Sequence, residues 1–348
     1  MSLLFVDGFD HYARADIATK WNNASLNVND AIDATGGRDG GGALKISGQS
    51  AAGVSKVFPQ TNTVILGARV RFDTLSAFPS SRQMIQLQMN GSIQGSVYLN
   101  VDGTLSVYRG TSSGTLLGST VQALSGATFT YLELKYTTDN SAGSVEIRIN
   151  GATDLLVSGI NTQALSSPGI NGITIRATPN SSLDSSKFIW YDDLYICDTH
   201  GATNNDFLGD IKIEAIYPTA DGANKGLAPL SGTDHYAMVN QHPPDGDTSY
   251  NSSAITGAKD TYAFGDIPVK GDSILGVQVL ANCRKENAGS RGVKLIARPG
   301  GTDNTSPVLP VSVDYGYQRY LWETNPDSGV AWTESEVNAA EFGLELSV

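Results

Sequence analysis

An all-β chain built as two antiparallel β-sandwich domains is the fold this sequence predicts, on three observations. Apolar residues recur at every second position over short runs, as strands with one buried face require. Glycine is abundant, at 38 residues, and falls between those runs where turns belong. Asn90-Gly91, Asp102-Gly103 and Asn150-Gly151 each close an alternating run, and tight hairpins need the positive φ that Asn, Asp and Gly reach cheaply.

Taken in order, Leu3–Val6 is a first short strand, and Ile17 and Trp21 lie four apart on one face of a helical turn within Ala13–Trp21. The glycine-rich run from Gly36 to Gly42 is expected to be a flexible connector. It lacks the Gly-Lys-Ser/Thr ending and the following helix of a phosphate loop. Clean alternation then covers Leu66–Phe72, Ile85–Met89, Val97–Val101, Leu105–Val107, Leu132–Tyr136 and Val145–Ile149. One face of each strand is apolar and the other polar, so two sheets must pack face to face, each wet on its outer side.

Phe188–Asp198 carries bulky apolar residues on both faces and belongs inside a sheet. It reads as the closing strand of a first domain, residues 1–200, followed by a polar linker at 201–209 and a second domain at 210–348. In the second domain Ile211, Ile213 and Ala215 alternate as a strand, Ile274–Ala281 reads as a central strand, and Val293, Leu295 and Ala297 as another. Thr333-Glu-Ser-Glu336 fits a capping box that opens one short helix. Phe342, Leu344, Leu346 and Val348 then alternate as a last strand.

At 348 residues the chain is long enough for two domains with cores of their own. Charged residues are 17 % and hydrophobic ones 40 %, which fits neither a disordered nor a membrane-inserted chain. The net charge of −12 and the lack of a basic stripe argue against nucleic acid and against anionic membranes as partners. The N-terminus has no basic lead and reads as a strand, not a signal peptide. Cys197 and Cys283 read as two small buried side chains.

Two resemblances add to this. Phe5-Val-Asp-Gly-Phe9, Tyr131–Tyr136, Gly143–Gly151 and Trp190–Tyr195 stand in the order of the concanavalin A-like, or laminin G-like, jelly-roll sandwich. That resemblance implies that the first and last strands of the domain lie side by side. Asp193–Asp198, Asn204–Asp210, Lys259–Tyr262, Arg284-Lys285, Trp332-Thr333 and Glu341–Gly343 resemble a segment recurring in tailed-bacteriophage structural proteins. This implies a virion component, made in a host cytoplasm, with other virion proteins and further copies of itself as partners, and brings no catalytic residues.

Each candidate chemistry stands beside a simpler use of the same residues. Glycosidase work needs two carboxylates flanking a sugar, and the strand pattern Glu-x-Asp-x-x-Glu is absent. Glu133 beside Lys135 and Glu146 beside Arg148 read as ion pairs on a solvated face. His11, His200, His235 and His242 show no zinc spacing, and no Gly-x-Ser-x-Gly elbow is present. Asp7, Asp10, Asp192 and Asp193 would converge on a calcium ion if their strands paired, although turn capping explains them more simply. Tyr98 and Tyr108 lie on polar faces where a glycan or a protein would stack, and His235–Asp247 is expected to be a surface contact loop.

The expectation is therefore a non-enzymatic structural protein of a phage particle, in the tail or its appendages, with no catalytic residue, cofactor or metal assigned. A carbohydrate-binding module or adhesin touching a host-surface glycan, and a capsid decoration protein, stand as alternatives.

Overall fold

Among the described residues, fifteen strands make up the first part of the chain: β1 (Leu3–Asp7), β2 (Asn23–Ser25), β3 (Ala31–Asp33), β4 (Ala43–Gly48), β5 (Gly53–Thr61), β6 (Thr63–Phe72) and β7 (Arg82–Met89), followed by the eight below. These are β8 (Ser92–Leu99), β9 (Leu105–Arg109), β10 (Thr115–Ser119), β11 (Thr130–Thr137), β12 (Gly143–Ile149), β13 (Ala152–Ile160), β14 (Ile170–Pro179) and β15 (Asp184–Asp198). The computed structural model describes residues 2–48, 53–73, 80–126, 128–179, 184–268 and 273–347. Two compact units emerge, Met1–Ile213 and Glu214–Val348.

The first unit is a sandwich of two antiparallel sheets. One runs β13-β12-β11-β6-β15-β4-β3, with β1 also on β15, and the other β10-β9-β8-β7-β14-β5-β2. Their inner faces meet through Leu66, Ala68 and Leu134 on one side and Ile85 and Ile175 on the other, around a small apolar gap. β15 takes β1, β4 and β6 as partners, so it lies inside its sheet as expected. Phe5 pairs with Ile196 and Val6 with Tyr195, so the first and last strands are neighbours, as the jelly-roll resemblance implies.

Two hairpins follow their dipeptides closely. Asn90-Gly91 (φ 50° and 80°) joins β7 to β8, and Asn150-Gly151 (φ 50° and 81°) joins β12 to β13. Asp102-Gly103 lies in a longer turn closed by Asn100 N to Thr104 O at 2.8 Å, with only Gly103 left-handed. The helical turn α1 (Ile17–Lys20) buries Ile17, with Trp21 buried at its end.

Several expectations are corrected. The Gly36–Gly42 run is no flexible connector: Arg38 N donates to Asp192 Oδ2 at 2.7 Å, Gly42 N donates to Asp10 Oδ1 at 2.7 Å, and a Cβ on Gly42 would sit 2.3 Å from Phe9 O. Residues 201–209 are no free linker either. Asp206 pairs with Lys135 at 3.0 Å, Asp210 with Arg69 at 2.8 Å, and Phe207 lies under the Arg148 guanidinium at 4.0 Å. This strap covers the outer face of the β6–β11–β12 region. Glu133 is accordingly buried, accepting from Tyr195 OH at 2.5 Å and Gly209 N at 2.8 Å, while Glu146 and Arg148 pair as expected at 2.9 Å. The alternation at 211–217 forms no strand, because Ile213 N is taken by Asp193 Oδ1 at 2.7 Å.

The second unit comprises β16 (Pro218–Lys225), β17 (Ala228–Pro229), β18 (Asn251–Ser252), β19 (Lys259–Phe264), β20 (Val277–Cys283), β21 (Gly292–Arg298), β22 (Asn304–Thr305), β23 (Leu309–Pro310), β24 (Gly316–Trp322), α2 (Glu334–Ala339) and β25 (Glu341–Ser347). A six-stranded sheet, β16-β19-β25-β21-β22 with β23 on β21, packs its Leu295, Ala297 and Phe342 against Val279 and Trp322 of a β20–β24 ribbon. Val337 of α2 closes that core. The apolar run expected to be a central strand is thus half of a two-stranded ribbon. The capping box is formed: Glu336 N donates to Thr333 Oγ1 at 3.3 Å, and Thr333 N to Glu336 Oε2 at 2.8 Å. β25 is the expected last strand, Val348 lying outside the described residues. Both cysteines are free thiols.

Two buried carboxyls hold the start of the first unit. Asp7, fully buried, accepts from Lys20 Nζ at 2.8 Å, Tyr12 OH at 2.7 Å, Trp21 Nε1 at 2.9 Å and Phe9 N at 3.0 Å. Burial pushes this carboxyl up, but Lys20, His11 and Tyr12 together hold it below its ordinary value. Asp7→Ala strands the buried Lys20 ammonium and should lower unfolding free energy by about 3–5 kcal/mol in urea titrations. A loss under about 1 kcal/mol would show that this network does not hold the fold.

Asp192 is pushed up to about 7, by burial first and then by the neighbouring Asp193. An acid raised on folding contributes stability at low pH and loses it as pH climbs from about 4 to about 7. His11, pushed down to about 3 by burial and Lys20, acts in the opposite sense below about pH 6.5, so the raw curve mixes the two. The difference between Asp192→Asn and wild type removes that overlap. It should shift in favour of the variant from about pH 4 to about pH 7 and then level off, as read by thermal unfolding at each pH; a flat difference would contradict the assignment.

Candidate functional site

The two outer faces of the first sandwich are composed differently. On the β7–β8 and β7–β14 pairs the apolar residues Ile85, Leu87, Val97, Ile173 and Ile175 turn inward and are buried. Strand alternation therefore turns Gln86, Gln88, Ser96, Tyr98, Thr174 and Arg176 outward. In register, Tyr108 lies beside Ser96, Ser96 beside Gln86, Gln86 beside Thr174 and Thr174 beside Ser55. The result is a continuous row of hydroxyl and amide groups across five strands.

These side chains brace one another. Gln86 Nε2 donates to Gln83 Oε1 at 2.7 Å, Gln88 Nε2 to Gln86 Oε1 at 3.3 Å, and Ser55 and Thr174 hydroxyls lie 2.8 Å apart. Arg176 Nε donates to Thr178 Oγ1 at 2.9 Å and its Nη1 to Gln83 Oε1 at 3.3 Å, across a bulge in β14. Gln83, Gln86 and Thr174 are buried by this packing, whereas Arg176, Thr178, Gln88, Ser55 and Tyr108 stay partly accessible. The accessible set offers donors and acceptors of both kinds around one aromatic ring, which is how polyhydroxylated ligands are held.

Tyr98 and Tyr108, expected to serve as stacking residues, are brought together on this face with ring centroids 5.5 Å apart at 83°. Only Tyr108 presents a surface. Tyr98 is 4 % exposed, with its hydroxyl accepting from Ser112 N at 3.3 Å. The other expected residues are not drawn to this face. Asp7, Asp10, Asp192 and Asp193 accept hydrogen bonds from backbone amides and basic side chains, Asp193 lying 3.3 Å from Arg38 Nη1. Among the described residues no group of three or more His, Cys, Asp or Glu side chains is placed to hold a metal ion. In the second unit residues 236–247 form an accessible loop, but His235 at its start is 8 % exposed, with Nδ1 2.8 Å from Asp260 Oδ2. His242 stacks on Tyr217 at 3.8 Å, and Asp247 accepts from Arg284 and Tyr315.

Arg176, Gln83 and Thr178 were not singled out from the sequence. The signal was present, since Ile173-Thr-Ile-Arg176 alternates as cleanly as the runs that were read. What sequence alone withheld was the pairing that sets β14 between β7 and β5.

No protein-family model matches the chain, and no curated protein matches it. Solved structures match parts of it. Alginate lyase Aly36B is 15 % identical, with a TM-score of 0.38 over 54 % of this chain and 92 % of that one. Alginate lyase vAL-1 from Chlorella virus is 13 % identical, with a TM-score of 0.38 over 51 % and 93 %. The Emp46p carbohydrate recognition domain is 11 % identical, with a TM-score of 0.31 over 44 % and 82 %. The expectation of a non-enzyme is withdrawn on this finding, since two of these three partial neighbours are lyases. At these identities and TM-scores the likeness itself assigns no activity to the chain. The fold is an all-β sandwich.

Proposed function

We propose that the first unit is a carbohydrate-binding β-sandwich that takes its ligand on the outer face of the β10-to-β2 sheet. The observation that carries this reading is the composition of that face: accessible Gln88, Ser55, Thr178, Arg176 and Tyr108 over a braced layer of buried amides and hydroxyls. A neutral hydrogen-bonding floor beside an aromatic ring matches the alternating hydroxyl and C–H faces of a sugar. Saccharides are also the ligand class named for the partial structural neighbours, but the face carries the proposal.

Tyr108→Ala removes the accessible ring and leaves the buried Tyr98 in place. Glycan affinity of the full chain, measured by titration calorimetry on a ligand found by array screening, should fall about tenfold, equivalent to about 1.4 kcal/mol. Unchanged affinity with an intact fold would move the site off this face, and an array with no bound glycan would sink the reading.

The second reading, a structural component of a phage tail or tail appendage, is supported by the resemblance of Asn204–Asp210 and the other quoted segments to tailed-phage proteins. A glycan-binding sandwich held there would serve host attachment. That reading expects copies of the chain to associate, and homo-oligomers mostly close with point-group symmetry. Mass photometry and sedimentation should give a discrete homo-oligomer; a monomer persisting at high micromolar concentration would count against it.

A further inference from the structure

The chain holds 35 acidic residues, yet none of them lies on any of the seven strands of the β10-to-β2 sheet. The same strands carry four cations, Arg82, Arg109, Lys56 and Arg176. Arg82 and Lys56 are buried, Lys56 against the Phe5 ring at 4.5 Å. Arg109 follows Tyr108 along β9, so it lies on the opposite side of that strand, and its Nη2 donates to Thr115 Oγ1 at 2.7 Å. Arg176 is the cation aimed outward from the middle of the sheet.

Its surroundings differ from those of five other arginines. Arg38, Arg69, Arg148, Arg284 and Arg298 each have a carboxylate within ion-pair distance. Arg176 is held by two neutral oxygens, Thr178 Oγ1 and Gln83 Oε1, and among the described residues no carboxylate pairs with it. Burial, the largest influence, pulls its guanidinium below the ordinary value, with Tyr98 and Tyr191 acting the other way. A guanidinium oriented by neutral acceptors and partly stripped of water is set up for an incoming planar anion, to which it bonds more strongly than to neutral groups.

We propose that the saccharide bound on this face carries a carboxylate, as a uronic or other sugar acid does, and that Arg176 is the side chain that receives it. The proposal rests on the carbohydrate-binding reading and adds the ligand's charge. A neutral face would admit neutral sugars equally; here the absence of acids across seven strands removes the repulsion an anionic chain would meet.

The test compares tetragalacturonate, its methyl ester and a sulfated neutral oligosaccharide against the full chain by titration calorimetry, at low and at physiological salt. Uronate should bind at least tenfold tighter than the ester, and the preference should shrink as salt rises. In Arg176→Gln the preference should vanish while binding of the ester persists, and Arg176→Lys should restore it only in part. Equal affinity for uronate and ester overturns the proposal while leaving glycan binding intact. Sulfate binding as tight as uronate, through Arg176, overturns the assignment to a carboxylate. Loss of all saccharide binding in the wild type overturns the carbohydrate reading together with it. Should Arg176→Gln fail to fold, the wild-type ratio of uronate to ester decides.

Discussion

A pleated strand can bury only one of its faces in a two-layer sandwich, so each sheet is left with an outer face whose use the fold must settle separately. In the first unit the two outer faces are settled in opposite ways. On the sheet containing β6, β11 and β12 the chain covers its own face, laying residues 204–213 across it through Asp206–Lys135, Asp210–Arg69 and Phe207 under Arg148. On the other sheet the outward groups are hydroxyls, amides, Tyr108 and Arg176, braced by one another. Part of one face is thereby covered by the chain itself, and the candidate site falls on the other.

How much of this was legible in the sequence follows from what alternation encodes. It gives the sidedness of a strand, and so it gave Ile85–Met89, Leu132–Tyr136 and Phe342–Leu346 correctly, with the Asn-Gly turns between neighbours. The capping box at Thr333 was legible for the same local reason, since all its partners lie within one helical turn. Alternation does not say what covers a polar face. Glu133 and Lys135 were therefore read as a solvated pair, when the strap reaches back from residues 206 and 209 to claim one each. Nor does it fix long-range order: Arg176 and Gln83 meet across 93 positions of chain.

The acids show the same limit from the other side. Asp10, Asp192 and Asp193 cluster as their spacing suggested, but the partners they meet are the amides of Gly42, Arg38 and Ile213 and the guanidinium groups of Arg38 and Arg69. A glycine-rich run with no periodicity looks like slack in a sequence. Here its glycines let the backbone come within contact of Phe9 and Asp192, so the carboxyls find amides where a looser loop would have left them to water or a cation.

The distribution of charge links these two halves of the unit. A net charge of −12 would by itself disfavour an anionic ligand, because like charges raise the cost of approach. That total belongs to the whole chain, and residues 1–213 carry 18 acids against 14 Lys and Arg, a net of −4. Several acids on and around the strapped sheet sit within hydrogen-bonding distance of bases, as Asp206 does with Lys135, Asp210 with Arg69 and Glu146 with Arg148. Paired charges act at a distance as dipoles, whose field falls faster than that of a lone ion, and salt screens what remains exposed over about 8 Å. The opposite sheet has cations and no acids on its strands, so the groups closest to a ligand over its middle are Arg176 and its neutral neighbours. An acidic chain and the proposed face for an acidic sugar are thus compatible, because several of the first sandwich's acids lie beside its own bases and none lies on the strands of that face.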